Sequence, residues 1–331
     1  MLRFVARRLA LSTITLLLVS LAVYLIFALL PFDPAALTCG QKCTKFVIEA
    51  NRIRLGYDKP LLVQYWLFLS GIFLGRTYGS GSAAFSCPAP SLGYSFNQNA
   101  CVTDLLKSTL PVTISLAVGA LIIWLIVGVS LGVIAAKFRG RTPDTSSSIF
   151  VLLGTSLPTF VTGLALLLWI SIKWKLIPIS LTGYVSIFNN PFGFLQYFIL
   201  PWLTLAIAYA ALYTRFTRAA VLETLGEDYV RTARAKGVPE RRVLTKHTMR
   251  AVIAPITTMA SLDFAGLIGG AIITETIFNL PGLGRLTLRS VVEFDLPIVV
   301  ATTILAAGVV IIMNLIVDIL YAFLDPRVRI K

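Results

Sequence analysis

Long apolar runs, broken by basic or turn-rich stretches, recur along this chain. Six are long enough to cross a bilayer as helices: about 9–30, 110–136, 149–172, 197–213, 251–278 and 298–323. A helix rises about 1.5 Å per residue, so roughly twenty residues cross a hydrocarbon core of about 30 Å. Backbone N–H and C=O groups find no partner in lipid, so spans are helices or a closed barrel, and unbroken runs of this length select helices. The run at 60–73 is too short to cross unaided and reads as an interfacial or buried helix. The first run follows Arg3, Arg7 and Arg8; it is long for a secretory leader and no small-residue cleavage site follows, so it is expected to stay as a signal anchor.

Charge orients these spans. The 331 residues are 57% hydrophobic and 13% charged, with a net charge of +14 and a mean hydropathy of +0.84. Soluble domains are about one-quarter charged, so a soluble class is excluded. The positive balance does not point to nucleic acid, because no basic patch is interleaved with aromatics in a soluble module. An inside N-terminus places Arg3, Arg7 and Arg8 inside, then Lys137, Arg139 and Arg141, then nine basic residues from Arg215 to Arg250, then Arg327, Arg329 and Lys331. These make 18 of the 29 basic residues; the others lie mostly in the long segment between the first two spans, which counts little in the orientation rule. A seventh span at 60–73 would put Lys137, Arg139 and Arg141 outside and is rejected. The expected organisation is an N-terminus and first span at 1–30, an extracytoplasmic segment at 31–107, and a core of five spans at 108–331.

The segment at 31–107 holds Cys39, Cys43, Cys87 and Cys101. An outward, oxidising location makes disulfides the default. Proximity favours Cys39–Cys43 and Cys87–Cys101, although four cysteines permit three pairings. A four-cysteine metal site is the alternative, but the C-x2-C pair of such sites is missing. Residues 44–55 read as a short helix and Gly79-Ser-Gly-Ser as a flexible turn.

The fourth run continues into a long polar stretch, about 215–250, on the inside. Its centre reads Tyr229-Val-Arg-Thr-Ala-Arg-Ala-Lys-Gly-Val238. Gly237 suits a helix C-cap and Pro239 the first turn of a new helix, giving helix, glycine break, helix. Val230, Ala233, Val238 and Leu244 supply a thin apolar face; basic residues supply the rest. A helix seated in a partner's groove has this composition; so does an amphipathic helix resting on anionic lipid.

Three carboxylates fall within or beside spans: Asp263, Glu275 and Asp318. Such groups are costly in lipid and tend to face the bundle interior or water. Asp263, about halfway along the fifth run, is the candidate for a translocation pathway; a hydrogen bond to a neighbouring helix is the alternative. Glu275 is expected to brace the hairpin that follows through Arg285, and Asp318, with Asn314, to pin helices. Gly266, Gly269 and Gly270 permit close helix contact, and Pro158 is expected to kink the third span. No G-x-x-x-x-G-K-[ST] loop is present, so ATP hydrolysis would be supplied in trans. The single histidine, His247, rules out H-E-x-x-H chemistry.

The polar stretch resembles the coupling loop of binding-protein-dependent ABC importer permeases of the dipeptide/oligopeptide family (DppB/OppB-like). That motif begins Glu-Ala-Ala and reaches a glycine further on; Arg231, Thr232 and Ala233 stand at the first places and Gly237 at the last. Gly56-Tyr-Asp-Lys-Pro-Leu-Leu-Val-Gln-Tyr65, His247-Thr-Met-Arg-Ala-Val-Ile-Ala-Pro255, Glu275-Thr-Ile-Phe-Asn-Leu-Pro-Gly-Leu-Gly-Arg-Leu286 and Asn314-Leu-Ile-Val-Asp-Ile-Leu-Tyr-Ala-Phe-Leu-Asp-Pro-Arg327 resemble other segments of the family. The cysteine-bearing stretch at 86–102 does not. The resemblance implies an all-α, six-span, MetI-like type I importer permease in the bacterial inner membrane, with cytoplasmic termini and no enzyme activity of its own. Implied partners are a second homologous permease, two ATPase subunits or domains that bind ATP and Mg, an extracytoplasmic substrate-binding protein and membrane lipid. Coupling would run through Arg231, Thr232, Ala233, Arg234, Ala235, Lys236 and Gly237. An outer scoop loop would be formed by Glu275, Asn279, Pro281, Gly282 and Gly284. The cargo implied is a short peptide; nickel, glutathione or another small solute is the alternative within the family, and a stand-alone carrier the alternative outside it.

Overall fold

The computed structural model describes residues 2–28, 34–37, 44–79, 84–95, 97–177 and 184–324. Cys39, Cys43, Arg327, Arg329, Lys331 and most of the expected turn after Gly79 lie outside them. The protein is built from helices with two small hairpins. Among the described residues five helices are long and apolar enough to cross a membrane, or six where the bent pair Thr142–Ser156 and Thr159–Lys173 counts as one span.

Contacts divide the chain into two compact units. The first comprises Met1–Thr113, Ile268–Ile272 and Pro281–Ile312. It opens with α1 (Leu2–Ala28), followed by the short α2 (Pro34–Leu37), α3 (Lys45–Leu55) and α4 (Leu61–Leu74). Thr44 caps α3, its hydroxyl accepting the Val47 N–H, and Gly56 ends it. α4 is the run too short to span; it lies against α1, where the Ser20 and Tyr65 hydroxyls hydrogen-bond at 2.8 Å and Tyr24 packs on Tyr65 and Phe68.

Two antiparallel hairpins follow. β1 (Arg76–Tyr78) pairs with β2 (Phe85–Cys87), and β3 (Tyr94–Ser95) with β4 (Ala100–Cys101). The Cys87–Cys101 disulfide ties one hairpin to the other, so this expected pairing is present, and the unrecognised stretch at 86–102 is a stapled pair of hairpins. No strands were expected here. The hairpins rest on the segment before the last span. Ser95 donates a hydrogen bond to the buried Asp295 carboxylate, and Asn97 donates to the Glu293 carbonyl. Burial pushes the Asp295 carboxyl above its ordinary value, against the lowering effect of Ser95. Beneath lies an apolar core of Val102, Leu106, Leu283, Leu286, Ile298 and Ala301. The disulfide closes a loop with a sequence separation of 14, a constraint that contributes about 3 kcal/mol in the loop-entropy model. Cys87→Ser is therefore expected to open the hairpins to limited proteolysis at least tenfold faster. Equal cleavage rates for mutant and parent would refute this.

The second unit comprises Ile114–Leu267, Ile273–Leu280 and Met313–Lys331. Its centre is α8 (Pro191–Leu225), begun by an Asn190 cap and Pro191 in its first turn. The long α5 (Val102–Lys137) packs on it closely: a Cβ at Gly128 would stand 2.7 Å from Tyr213 Cβ and 2.9 Å from the Ala210 carbonyl oxygen. Trp202 Nε1 donates to the Ser115 carbonyl at 3.0 Å, and Trp124 stacks on Tyr209 at 4.5 Å. α6 (Thr142–Ser156) and α7 (Thr159–Leu166), extended by a π-helical segment (Leu167–Lys173), also pack on α8. Pro158 does more than kink the third span: α6 and the helix after it are bent by 100°. Pro158 has no N–H to donate and holds Leu157 extended, at φ −90° and ψ 122°.

The fifth run departs from expectation. A single helix across 251–278 was expected; instead the helix running through Glu240–Ile268 ends at a Gly269-Gly270 break, and a separate short α12 (Ile272–Ile277) follows. Gly270 adopts φ +131°, and a Cβ there would stand 2.7 Å from Gly284 Cα. A left-handed residue with no room for a side chain ends the helix although the run stays apolar. Gly266, expected to serve close helix contact, has open space where its side chain would be. α13 (Leu283–Val292) and α14 (Leu296–Leu324) complete the chain.

Candidate functional site

The polar stretch at 215–250 forms an elbow. α8 runs on to Leu225, as its continuation beyond the apolar run requires. After Gly226, α9 (Asp228–Ala235) begins, and Val230 and Ala233 turn inward, buried against the end of α8 and the segment that follows. Tyr229, Arg231, Thr232, Arg234, Ala235 and Lys236 face outward. α9 ends where expected. The Gly237 N–H donates to the Arg234 carbonyl at 2.9 Å and the Val238 N–H to that of Ala233 at 3.2 Å, with Gly237 at φ +76°. Pro239 stands one residue before the new helix rather than in its first turn. α10 (Glu240–Arg242) passes through a π-helical segment (Val243–Thr248) into α11 (Met249–Ile268), so the second half of the elbow is continuous with the fifth span. Val243 and Thr248 are buried there, and the Thr248 hydroxyl donates to the Val243 carbonyl.

A clasp closes the elbow. Arg234 donates through Nη2 to Glu240 Oε1 at 2.6 Å and through Nε to Oε2 at 3.1 Å. The Glu240 carboxylate beside it holds the Arg234 guanidinium above its ordinary value. Arg231 leans on Asp228 at 3.4 Å. Lys236, Arg241, Arg242, Lys246 and Arg250 remain exposed. The turn has an apolar inner side and a basic outer side.

A second clamp holds the turn between α5 and α6. Asp144 takes Arg218 Nε at 2.6 Å and Nη2 at 2.8 Å, and the Gly140 N–H donates to the same carboxylate at 2.9 Å. Neither clamp was expected from the sequence. A carboxylate near a Thr-Pro helix start is an ordinary helix-end signal, and its partner lies 74 positions away.

Asp263 stands close to the end of its helix at Ile268, not halfway along. The Tyr213 hydroxyl donates to its Oδ2 at 2.6 Å, which is the inter-helix hydrogen bond weighed as the alternative to a pathway role. Tyr209 and Trp124 lie beside Tyr213. Glu275, in α12, is fully buried. Asn279 is exposed at φ +53°. Further along, Pro281 is exposed, Gly282 caps α13 and Gly284 packs on Gly270. Asp318 is half-buried in α14. No group of three or more His, Cys, Asp or Glu side chains is placed to hold a metal among the described residues.

Comparison with known proteins agrees with this architecture. The profile of the family described as binding-protein-dependent transport system inner membrane component matches residues 128–330, and that of its N-terminal region matches residues 1–117. The glutathione transport system permease protein of Escherichia coli (strain K12) is 38% identical over 331 residues, covering both chains completely. Its counterpart in Shigella dysenteriae serotype 1 (strain Sd197) is equally similar over the same full lengths. A probable peptide ABC transporter permease protein of Sinorhizobium fredii (strain NBRC 101917 / NGR234) is 35% identical over 326 residues, 98% of this chain and 99% of its own. With five to six apolar spans, an elbow leading into the helix Glu240–Ile268, and matches from end to end, this chain belongs to the binding-protein-dependent transport system inner membrane components, as a multi-pass ABC importer permease of the peptide type.

Proposed function

We propose that the chain is one of two homologous permease subunits of an importer for di- and oligopeptides, with both termini cytoplasmic and the segment at 31–107 extracytoplasmic. The elbow at 227–250 is the handle gripped by one of two ATPase subunits or domains, which bind ATP and Mg. A substrate-binding protein delivers cargo on the other side, where the scoop of Glu275, Asn279, Pro281, Gly282 and Gly284 meets it. ATP closes the ATPase pair, the elbow moves with it, and the span bundle opens outward; hydrolysis returns it inward. The observation that supports this is the two-sided elbow. Val230 and Ala233 anchor it to α8, the Arg234–Glu240 clasp fixes its angle, and its basic outer side is left for a partner. An amphipathic helix resting on lipid would turn its apolar side outward, and this one does not.

Glutathione is the second reading of the cargo, favoured by the names of the 38% relatives. It is itself a short peptide, so both readings need groups that meet amino and carboxylate ends. Asp263 is the proposed pathway carboxylate: Tyr213 holds one oxygen and leaves the other for a passing amino group. Proteoliposomes holding this chain with its companion subunits are expected to take up labelled dipeptide or glutathione only when ATP is supplied. Flux from this chain alone would overturn the reading. In the same assay Asp263→Asn, which keeps a hydrogen-bonding oxygen for Tyr213, is expected to raise KM about tenfold, the value of one charge-assisted contact. An unchanged KM would reduce Asp263 to a helix tie.

A further inference from the structure

The first unit contains a cavity of about 380 Å³ that the transport reading does not use. Two spans border it: Tyr24 near the end of Ala6–Ile26, and Leu296, Pro297 and Val300 at the start of Leu296–Ile319. It therefore lies at the level where spans leave the bilayer. Its polar wall is Arg76 with Tyr24, Tyr57, Tyr78 and Tyr94, the side chains that collect at a membrane–water boundary.

Arg76 is the charged group there in need of a counter-ion. One of its N–H groups donates to the Leu55 carbonyl at 3.0 Å, and its guanidinium sits 4.9 Å over the Tyr78 ring. No carboxylate lies within ion-pair distance of it among the described residues. Arg52, the other lining cation, has Glu49 at 3.4 Å. Gln64 is already used: its oxygen accepts from Tyr24, and its amide donates to the Lys59 and Tyr57 carbonyls. Burial pushes the Tyr57 phenol above its ordinary value, so it stays a neutral donor.

α4 forms one wall and links the cavity to lipid. Leu61, Gln64 and Phe68 line the cavity. A second stripe of the same helix is bare: Leu62 is 74% exposed, Trp66 68% and Phe73 79%. A short apolar helix with such a stripe, laid beside a span, lies in the interface with that stripe in the acyl region. The space behind it is then open to lipid rather than only to water.

We infer that this cavity is a phospholipid site, in which the lipid phosphodiester pairs with Arg76 and the Tyr57 hydroxyl while the chains follow α4 and the start of α14. Guanidinium suits phosphate by geometry as well as charge, and the volume is that of an ordinary small-molecule site.

The test uses the full-length chain, purified in mild detergent with any subunits that accompany it and stripped of lipid. Thermal unfolding is followed after adding phosphatidylglycerol, a diacylglycerol with the same chains, or glycerol 3-phosphate. Phosphatidylglycerol is expected to raise Tm by about 3 °C or more, and the other two to leave it unchanged. An equal rise with diacylglycerol shows that the phosphate is irrelevant, and an equal rise with glycerol 3-phosphate shows a soluble-anion site; either overturns the proposal. Arg76→Gln is expected to abolish the rise and Arg76→Lys to keep part of it. Leu61→Trp, which fills the cavity while keeping Arg76, is expected to abolish it with the starting Tm retained. A full rise in Arg76→Gln or in Leu61→Trp also overturns the assignment.

Discussion

Replacing Gly237 with proline is expected to stop ATP-driven uptake almost completely while the subunit still inserts and its partner still hydrolyses ATP. The elbow needs a residue at φ +76° whose N–H reaches the Arg234 carbonyl. Proline offers neither: its ring holds φ near −65° and its nitrogen carries no hydrogen. The cost of forcing it there is roughly 3 kcal/mol or more, which lowers the population of the competent elbow by about a hundredfold. Alanine separates conformation from space. A Cβ at position 237 would meet nothing within 4 Å, so Gly237→Ala carries only the left-handed penalty of about 1 kcal/mol and should reduce uptake about fivefold. Ala233→Trp tests the inner side, because Ala233 is buried on a helix that packs against α8 and a ring there must displace its neighbours. Uptake and ATP hydrolysis measured on the same proteoliposomes decide the matter. Parental uptake by Gly237→Pro would remove the elbow from the mechanism.

The parts of the fold that were legible from sequence are those written in local pattern. Apolar runs announced the spans, and Gly237 with Pro239 announced the elbow, because a left-handed turn and a donor-free ring leave signatures in single residues. The continuation of α8 past its apolar run showed in polar residues at helical spacing. Distant contacts were not legible. The fifth run stays apolar through Gly269 and Gly270, so hydropathy alone cannot see that Gly270 meets Gly284 and ends the helix. Pro158 announced a kink but not a bend of 100°, since the angle depends on how α6 and α7 pack on α8. The strands at 76–101 are two or three residues long, too short for alternation to show, and their order comes from a disulfide and from Asp295. At the site the backbone turn was readable and its fastening was not. Arg234 and Glu240 are six residues apart on either side of a break, where no helical spacing rule applies.

Breaking the Asp144–Arg218 clamp is expected to be the most destabilising change of charge in the second unit. Asp144 is 7% exposed, accepts two bonds from Arg218 and one from Gly140, and so fixes the turn between α5 and α6 to α8. Removing one partner of a buried pair leaves an uncompensated charge, at about 3–5 kcal/mol. The Arg218 side chain keeps 33% exposure, so water recovers part of this, and Asp144→Ala should cost about 2 kcal/mol. In a chain of 331 residues that lowers Tm by roughly 3 °C. The double replacement Asp144→Leu with Arg218→Met removes both charges and keeps apolar volume, and should recover most of the loss. A double-mutant cycle read from Tm in detergent measures the coupling. If the two single losses simply add in the double mutant, the pair is not acting as a clamp. Coupling together with lost uptake at parental stability would instead place the α5–α6 turn in the moving parts. The same α8 holds both this clamp and the elbow, so a displacement of α9 carried along α8 passes Arg218 before it reaches Tyr213, while the other end of the elbow leads directly along the fifth span to Asp263.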